Sequence, residues 1–249
     1  MVQIRERPLV DLLDLSLVVV RRRPWTIGLS AVSGITPFAA LNAWLFHAVP
    51  DLEAGVPICL WMVEAPFATA PLTIALGALM FGQKVTIGKV LSSLLRASFT
   101  LVLVHGFLRI VLFFWIPTRL AFANEVILLE RGRWWKIFRR GADLASRREG
   151  ELFLMGVLQI VLTYVFALVF FVGSSLIGET MLAEDLTWDA PAGAAFSGWR
   201  FQLPIWLVVA FFAVARFLTY IDQRIRLEGW EVELRLRAVG EAMEEARRW

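Results

Sequence analysis

The sequence predicts an all-α, polytopic membrane helical bundle with about six transmembrane helices and several amphipathic interfacial helices. Of its 249 residues, 58% are hydrophobic and only 19% are charged. The apolar residues form long blocks, whereas those of a soluble domain alternate with polar residues. A bilayer core about 30 Å thick needs roughly 20 apolar residues per helix, and several blocks reach that length. Basic residues gather beside these blocks.

Five apolar blocks divide the chain, and the third differs from the others. It spans residues 97–129, which is too long for one untilted crossing, and Pro117 interrupts it. Proline lacks a backbone donor and disfavours helix in the residue before it, so we expect two short crossings or a sharply kinked pair here. A re-entrant hairpin that never reaches the far surface is the alternative. The remaining blocks cover residues 25–48, 58–82, 152–177 and 201–221.

Basic residues indicate the orientation of the bundle, because loops rich in Lys and Arg stay in the cytoplasm. Four basic segments lie beside the blocks, and all four are cytoplasmic only if residues 97–129 cross and return. We therefore expect a multi-pass protein of the cell inner membrane with both termini in the cytoplasm. The basic residues are Arg5, Arg7 and Arg21 to Arg23; Lys84, Lys89 and Arg96; Arg131, Arg133, Lys136, Arg139, Arg140, Arg147 and Arg148; and Arg224, Arg226, Arg235, Arg237, Arg247 and Arg248.

Three segments outside the apolar blocks have the spacing of amphipathic helices: residues 8–23, 84–96 and 133–148. Each precedes a pair of predicted crossings, which suggests a threefold arrangement of interfacial helix and hairpin. In the second segment the apolar face is Ile87, Val90, Leu91, Leu94 and Leu95, and the polar face is Lys89, Ser92, Ser93 and Arg96.

The chain divides into a membrane domain, residues 1–221, and a charged cytoplasmic tail, residues 222–249. Glu231 and Arg235 have the i,i+4 spacing that stabilises a helix. The residues from Trp230 to Leu236 also alternate as in a strand, but the abundance of Glu, Leu, Arg and Ala favours helix.

The sequence lacks the motifs of most common catalytic and metal sites. The single cysteine, Cys59, cannot form an intramolecular disulfide, and two histidines with one cysteine fall short of a metal cluster. Phosphate-binding loops, dinucleotide fingerprints, serine elbows and zinc-protease pairs do not occur in the sequence. Residues 1–25 do not read as a cleavable leader. We expect a protein that is not an enzyme, has no cofactor and binds no nucleic acid.

Ionisable residues inside apolar blocks are costly and are therefore candidates for function. Glu64, His105 and Arg109 are the main candidates, as a proton relay or a cation or head-group site with Arg109 as counter-ion. The structural alternative, which we favour, is that Glu64 pairs with Arg109 to lock two helices together, or that each side chain extends to a nearby membrane interface. Glu125 similarly predicts an ion pair with Arg119 or with the basic helix that follows it.

The basic interfacial helices predict contacts with anionic phospholipid, since each basic residue near a membrane surface contributes roughly 1 kcal/mol. Protein partners or a homo-oligomer are also possible. The candidate residues for lipid or partner contact are Lys84, Lys89, Arg133, Lys136, Arg139 and Arg140.

The order of these features resembles the membrane-domain family named after glycerophosphoryl diester phosphodiesterase. The resemblance covers most of the chain, but its motifs are loose. It implies a stand-alone member without the soluble phosphodiesterase barrel, so no catalytic residue is carried over. The similar segments are Ala70-Pro71-Leu72-Thr73 to Gly77-Ala78-Leu79 with Gly82; Arg119-Leu120-Ala121-Phe122-Ala123-Asn124-Glu125 to Glu130; and Tyr220-Ile221-Asp222-Gln223-Arg224-Ile225-Arg226 to Leu234.

Two functional hypotheses follow from the sequence. The first is a non-enzymatic membrane scaffold or accessory subunit whose basic cytoplasmic face binds lipid or protein partners. The second is a small transporter or lipid-handling protein that uses Glu64, His105 and Arg109. The first is favoured because the informative polarity lies outside the apolar blocks.

Overall fold

A computed structural model describes residues 8–49, 55–80, 82–108, 120–130, 134–182 and 198–247. Within these ranges the regular structure is helical throughout, with no strand. The prediction of a helical membrane protein is confirmed at this level: five described helices are long and apolar enough to cross a bilayer. The sixth predicted crossing stays a prediction.

The helices follow one another with short connections. The chain forms α1 (Leu9–Arg22), α2 (Pro24–Ala48), α3 (Gly55–Met80), α4 (Ile87–Leu101), α5 (Ala123–Glu125), α6 (Trp134–Ala145), α7 (Glu149–Leu182) and α8 (Trp199–Arg247). π-Helical turns extend α4 through Val102–Leu108 and α5 through Val126–Glu130, and a 3₁₀ turn, Ser146–Arg148, joins α6 to α7. The five candidate membrane spans lie on α2, α3, α4, α7 and α8.

The predicted interfacial helix at residues 84–96 differs from the structure at both ends. Gly82 has φ 65°, and Gln83 donates its backbone N–H to the carbonyl of Ala78, which ends α3 in a Schellman motif. Residues 83–86 are therefore non-helical, and α4 begins at Ile87 instead of Lys84. Beyond Arg96 the helix continues without interruption into a candidate span, because residues 97–101 contain no Gly or Pro.

The tail prediction of helix over strand is confirmed, since α8 extends as one helix to Arg247. The helix has no break at residue 222, where the sequence suggested a domain boundary. Its apolar half packs against α7 and α3. The membrane part therefore continues directly into the charged segment.

α2 and α3 form an antiparallel hairpin that packs with unusual closeness. A Cβ added to Gly34 of α2 would meet the carbonyl oxygen of Ala68 and the ring of Pro71 on α3. Prolines inside α2 and α3 are tolerated, as in other membrane helices, where neighbouring groups satisfy the freed backbone carbonyls. Gly34 thus sets the distance between the two helices.

The two ends of the bundle differ in their side chains. At one end, which we call the aromatic end, Phe46, Trp61 and Phe201 pack in sequence with ring centroids 6.2 Å apart. The other end, which we call the basic end, brings together the C-terminal part of α3, the start of α4 and the region of α8 around Arg224. α1 lies there as well, because Val19 and Val20 pack with the cluster that contains Phe217.

The described parts of the chain before residue 109 and after residue 119 both reach the basic end. Lys89 and Arg96 of α4 line the same cavity as Leu128 and Leu129, which follow α5. The helical part of the described return segment, residues 123–130, is about 12 Å long and is too short to cross a bilayer alone. The return that the basic residues required is therefore present, and the two-crossing and re-entrant interpretations both remain open.

Exposed apolar side chains cover the sides of the bundle. On α4, Ile87, Leu91, Leu95 and Phe99 are all exposed and recur every fourth residue, so they form one outward stripe. Most apolar residues of α7 are likewise exposed. Such surfaces are stable next to hydrocarbon and costly in water.

Candidate functional site

Glu64 lies inside the α2–α3 hairpin, with 6% of its surface exposed. Its Oε2 accepts a hydrogen bond from Nδ2 of the buried Asn42 on α2, at 2.7 Å. The predicted partner, Arg109, lies outside the described residues. A carboxylate that binds a neighbouring helix in this way is a helix-locking contact of the kind that polar groups make in membranes.

His105 lies in the π-helical turn that extends α4 and is 1% exposed. Its ring packs edge-on against Phe67 of α3, with centroids 6.1 Å apart. α3 therefore contacts α2 through the Glu64 hydrogen bond and the extension of α4 through the ring contact of Phe67 with His105.

Glu125 forms an ion pair with Arg216, and this partner differs from those that the sequence predicted. Arg216 of α8 donates from Nε to Oε1 of Glu125 at 3.0 Å, and the Glu125 side chain is fully buried. Arg119 lies outside the described residues. The two partners are 91 residues apart in the sequence, so no local pattern could reveal the pair.

Asn124, next to Glu125, ties the same short helix to α3. Its Nδ2 donates to the carbonyl oxygen of Pro66 at 3.2 Å. Since Glu125 binds α8 and Asn124 binds α3, α5 bridges the two best-packed spans. These adjacent polar residues therefore have a positional role in the bundle.

A second set of polar contacts lies at the basic end. Glu130 accepts hydrogen bonds from the Tyr220 hydroxyl at 2.8 Å and from Nε of Arg140 at 3.3 Å. Arg148 contacts Asp222 at 3.6 Å, and Arg226 contacts the same carboxylate at 3.0 Å. These contacts fix α6 and the start of α7 against α8.

The candidate lipid-contact residues fall into different environments. Lys84, Lys89 and Arg139 are exposed, whereas Arg140 is occupied by Glu130. Arg133 lies outside the described residues, and Lys136 lies on α6 with its side chain outside the described part. The structure therefore leaves three of the six as accessible cations at the basic end.

A cavity of about 790 Å³ opens at the basic end between α3, α4, the turn after α5 and α8. Its apolar surface includes Ile74, Leu128, Leu129, Phe217 and Ile221. Its polar surface is formed by Lys89, Ser92, Ser93 and Arg96 of α4, with Gln83 and Arg224 beside them. We call this space the basic cavity.

Sequence reasoning found part of the basic cavity. The polar face of α4 was identified from its spacing, and Lys89 was a candidate contact residue. Arg224 belongs only to a basic segment of the sequence. Its position on the same cavity as Lys89 and Arg96 depends on tertiary packing, which no local pattern shows.

The basic cavity has the chemistry of a binding site for an anion. A basic rim above an apolar wall fits an amphipathic anion. Among the residues that the structure describes, no three His, Cys, Asp or Glu side chains come together as a potential metal site.

Comparison of the chain with protein-family models, with curated proteins and with solved structures found no match. The resemblance to the membrane-domain family named after glycerophosphoryl diester phosphodiesterase therefore stays a prediction. The functional argument accordingly depends on the contacts described above.

Proposed function

We propose that this chain is a non-enzymatic integral membrane scaffold or accessory subunit that presents the basic end of its helix bundle to anionic lipid or protein partners. The observation that carries the proposal is the convergence of Lys89, Arg96 and Arg224 on one cavity. These cations come from two helices that are far apart in the sequence. Their convergence favours a surface built for anions.

The environment of the buried polar residues supports the same proposal. Glu64 is engaged by Asn42, Glu125 by Arg216 and Asn124 by a backbone carbonyl. Each contact joins two helices, as expected for side chains that specify packing. A transport pathway would need polar side chains that exchange partners during the cycle.

The proposed orientation places the basic end in the cytoplasm of a cell whose inner membrane holds the protein. The positive-inside rule supports this placement, because most of the described arginines and lysines beside the spans lie at that end, Arg200 being an exception. Both termini would then be cytoplasmic, and α8 would carry its charged C-terminal half away from the membrane.

The lipid part of the proposal is tested by excising the protein from native membranes with a styrene–maleic acid polymer. The anionic phospholipid fraction in the discs is compared with that of the bulk membrane. We expect enrichment with the wild-type chain and its loss in a variant with Gln at positions 84, 89, 96 and 139. A wild-type disc with bulk composition contradicts lipid recognition.

The partner part is tested by quantitative co-purification with a chain truncated after Gly229. The truncated chain keeps Asp222 and Arg226, which contact each other. It also keeps the contact of Asp222 with Arg148, which lies just before α7. We expect partners to be lost while membrane insertion is retained. If the discs show no lipid enrichment and the truncated chain retains every partner, the proposed function is wrong.

The alternative is a small transporter or lipid-handling protein that uses Glu64, His105 and Arg109. The burial of Glu64 and His105 at membrane depth is the observation that favours it. Proton flux into proteoliposomes containing a pH-sensitive dye separates the two hypotheses. A scaffold gives no protein-dependent flux with wild type or Glu64→Gln, whereas flux that disappears in Glu64→Gln establishes the transporter.

A further inference from the structure

We infer that the basic cavity binds one anionic phospholipid molecule, with its phosphate at Lys89 and Arg96 and the upper part of an acyl chain against Phe217 and Leu129. This inference rests on the proposed function and makes it specific. It replaces general attraction to a charged surface with a single saturable site between α3, α4 and α8.

The charge of the cavity is unbalanced. Lys89 and Arg96 line it without an ion-pair partner among the described residues, and the described lining contains no Asp or Glu. The nearby carboxylate of Glu130 is already engaged by Arg140 and Tyr220. A bound anion would therefore supply the missing countercharge.

The polar groups are arranged along one face of α4. Lys89, Ser92, Ser93 and Arg96 follow the i, i+3, i+4, i+7 spacing, which places them in one row about 10 Å long. In the part of the chain that the structure describes, neither Lys89 nor Arg96 has an ion-pair partner. The two cations can reach a phosphate from either side. The Ser93 hydroxyl between them can donate a hydrogen bond, whereas the Ser92 hydroxyl donates to the Lys89 carbonyl.

The apolar wall argues for a lipid and against a water-soluble anion. Ile74, Leu128, Phe217 and Ile221 line the cavity opposite the α4 cations. A volume of about 790 Å³ lies within the roughly 300–1,000 Å³ typical of ligand sites, and it exceeds what one phosphate group needs. Water in the cavity would leave this apolar wall hydrated, whereas an acyl chain would remove it from water.

The position of the cavity gives a lipid direct access. The opposite face of α4 carries the exposed stripe of Ile87, Leu91 and Leu95, so α4 has one side toward hydrocarbon and the other toward the cavity. The basic residues lie at the start of this span, at the level expected for head groups. A phospholipid could occupy the site with its head group at its ordinary depth.

The test uses the full chain in detergent and native mass spectrometry with dioleoylphosphatidylglycerol as the probe. Dioleoylphosphatidylcholine, which has the same acyl chains, reports the need for negative charge. Glycerol 3-phosphate, as a competitor, distinguishes a lipid site from a site for the soluble head group. We expect one saturable phosphatidylglycerol per chain, weaker binding of phosphatidylcholine, and no displacement by glycerol 3-phosphate.

The variant pair Lys89→Gln/Arg96→Gln removes two charges from the cavity. The matched control, Lys84→Gln/Arg139→Gln, removes two exposed charges that do not line it. Each basic residue near the phosphate is worth about fivefold in affinity, so the cavity pair should weaken binding about 30-fold while the control changes it little. Arg224 is left unchanged because it also hydrogen-bonds Tyr220.

A third variant tests the apolar wall without changing charge. Ala78→Phe adds a ring at a residue that lines the cavity, and we expect it to reduce phosphatidylglycerol binding while the unfolding temperature is preserved. Equal losses in the cavity and control pairs, or equal binding of the two phospholipids, would overturn the inference. Anionic enrichment in polymer discs that survives either result would leave the proposed function standing.

Discussion

The Arg216 guanidinium of α8 contacts the Glu125 carboxylate of α5 through an Nε–Oε1 hydrogen bond of 3.0 Å. The Glu125 side chain is fully buried, and Arg216 is largely so. An ion pair in such surroundings fixes the short helix α5 against α8, the longest described helix. It also determines where residues 126–130 return to the basic end.

Removing one partner of this pair should be much more harmful than removing both. Arg216→Leu leaves the Glu125 carboxylate buried without its cation, and we expect a loss of about 3–5 kcal/mol in the free energy of unfolding. The double variant Arg216→Leu/Glu125→Leu should recover most of that loss. Reversible unfolding in mixed detergent micelles measures both. Additive losses in the double variant would show that the pair is not coupled.

Two glycines of α2 provide a matched test of helix packing. A Cβ at Gly34 collides with the α3 backbone, whereas a Cβ at Gly28 meets nothing within 4 Å. Gly34→Ala should therefore destabilise the protein by about 1–3 kcal/mol. Gly28→Ala should be neutral or stabilising by up to about 1 kcal/mol, because alanine favours helix. Equal thermal shifts of the two variants would contradict the close α2–α3 approach.

The Asn42–Glu64 contact should tolerate loss of charge but not loss of its acceptor. Glu64→Gln retains an oxygen that can accept the Asn42 N–H, so we expect a change below about 1 kcal/mol. Glu64→Leu leaves the Asn42 amide buried without this partner and should cost about 1–3 kcal/mol. The measurement is again the unfolding free energy in detergent. A larger loss in Glu64→Gln than in Glu64→Leu would indicate that the negative charge itself is needed.

Truncation of α8 should show where its structural role ends. A chain ending at Gly229 keeps the Asp222 contacts with Arg148 and Arg226, and we expect near wild-type stability. A chain ending at Ile221 loses them and should be destabilised by about 1.5–3 kcal/mol, the usual contribution of hydrogen bonds to charged groups. If both truncations unfold at the same temperature, the contacts around Asp222 do not support the bundle.

Apolar length and basic flanks predicted the helical membrane class and the return of the chain to one end, because both depend on the solvent around each segment. Helix boundaries were harder to predict from the sequence. The start of α4 at Ile87 depends on the Gly82 cap, whose positive φ shows only in three dimensions. The helical tail was predictable because helix-favouring residues outnumbered those in the alternating pattern.

The sequence predicted only those parts of the candidate site that depend on local periodicity. The polar face of α4 follows from periodicity, which a sequence displays directly. The partners of Glu64 and Glu125, Asn42 and Arg216, follow from packing between distant segments, which a single sequence does not display. Arg224 belongs to the same class, since it lines the same cavity as Lys89 only in the folded bundle.

The most direct test of the central claim is the compartment of residues on either side of the α4–α6 segment. In a Cys59→Ser background, single cysteines replace Lys84, Arg139 and, as the opposite-end control, Val49. A membrane-impermeant maleimide is applied to sealed vesicles of both orientations. We predict that positions 84 and 139 react from one face and position 49 from the other. Reaction of positions 84 and 139 from opposite faces would contradict the shared basic end on which the proposed function depends.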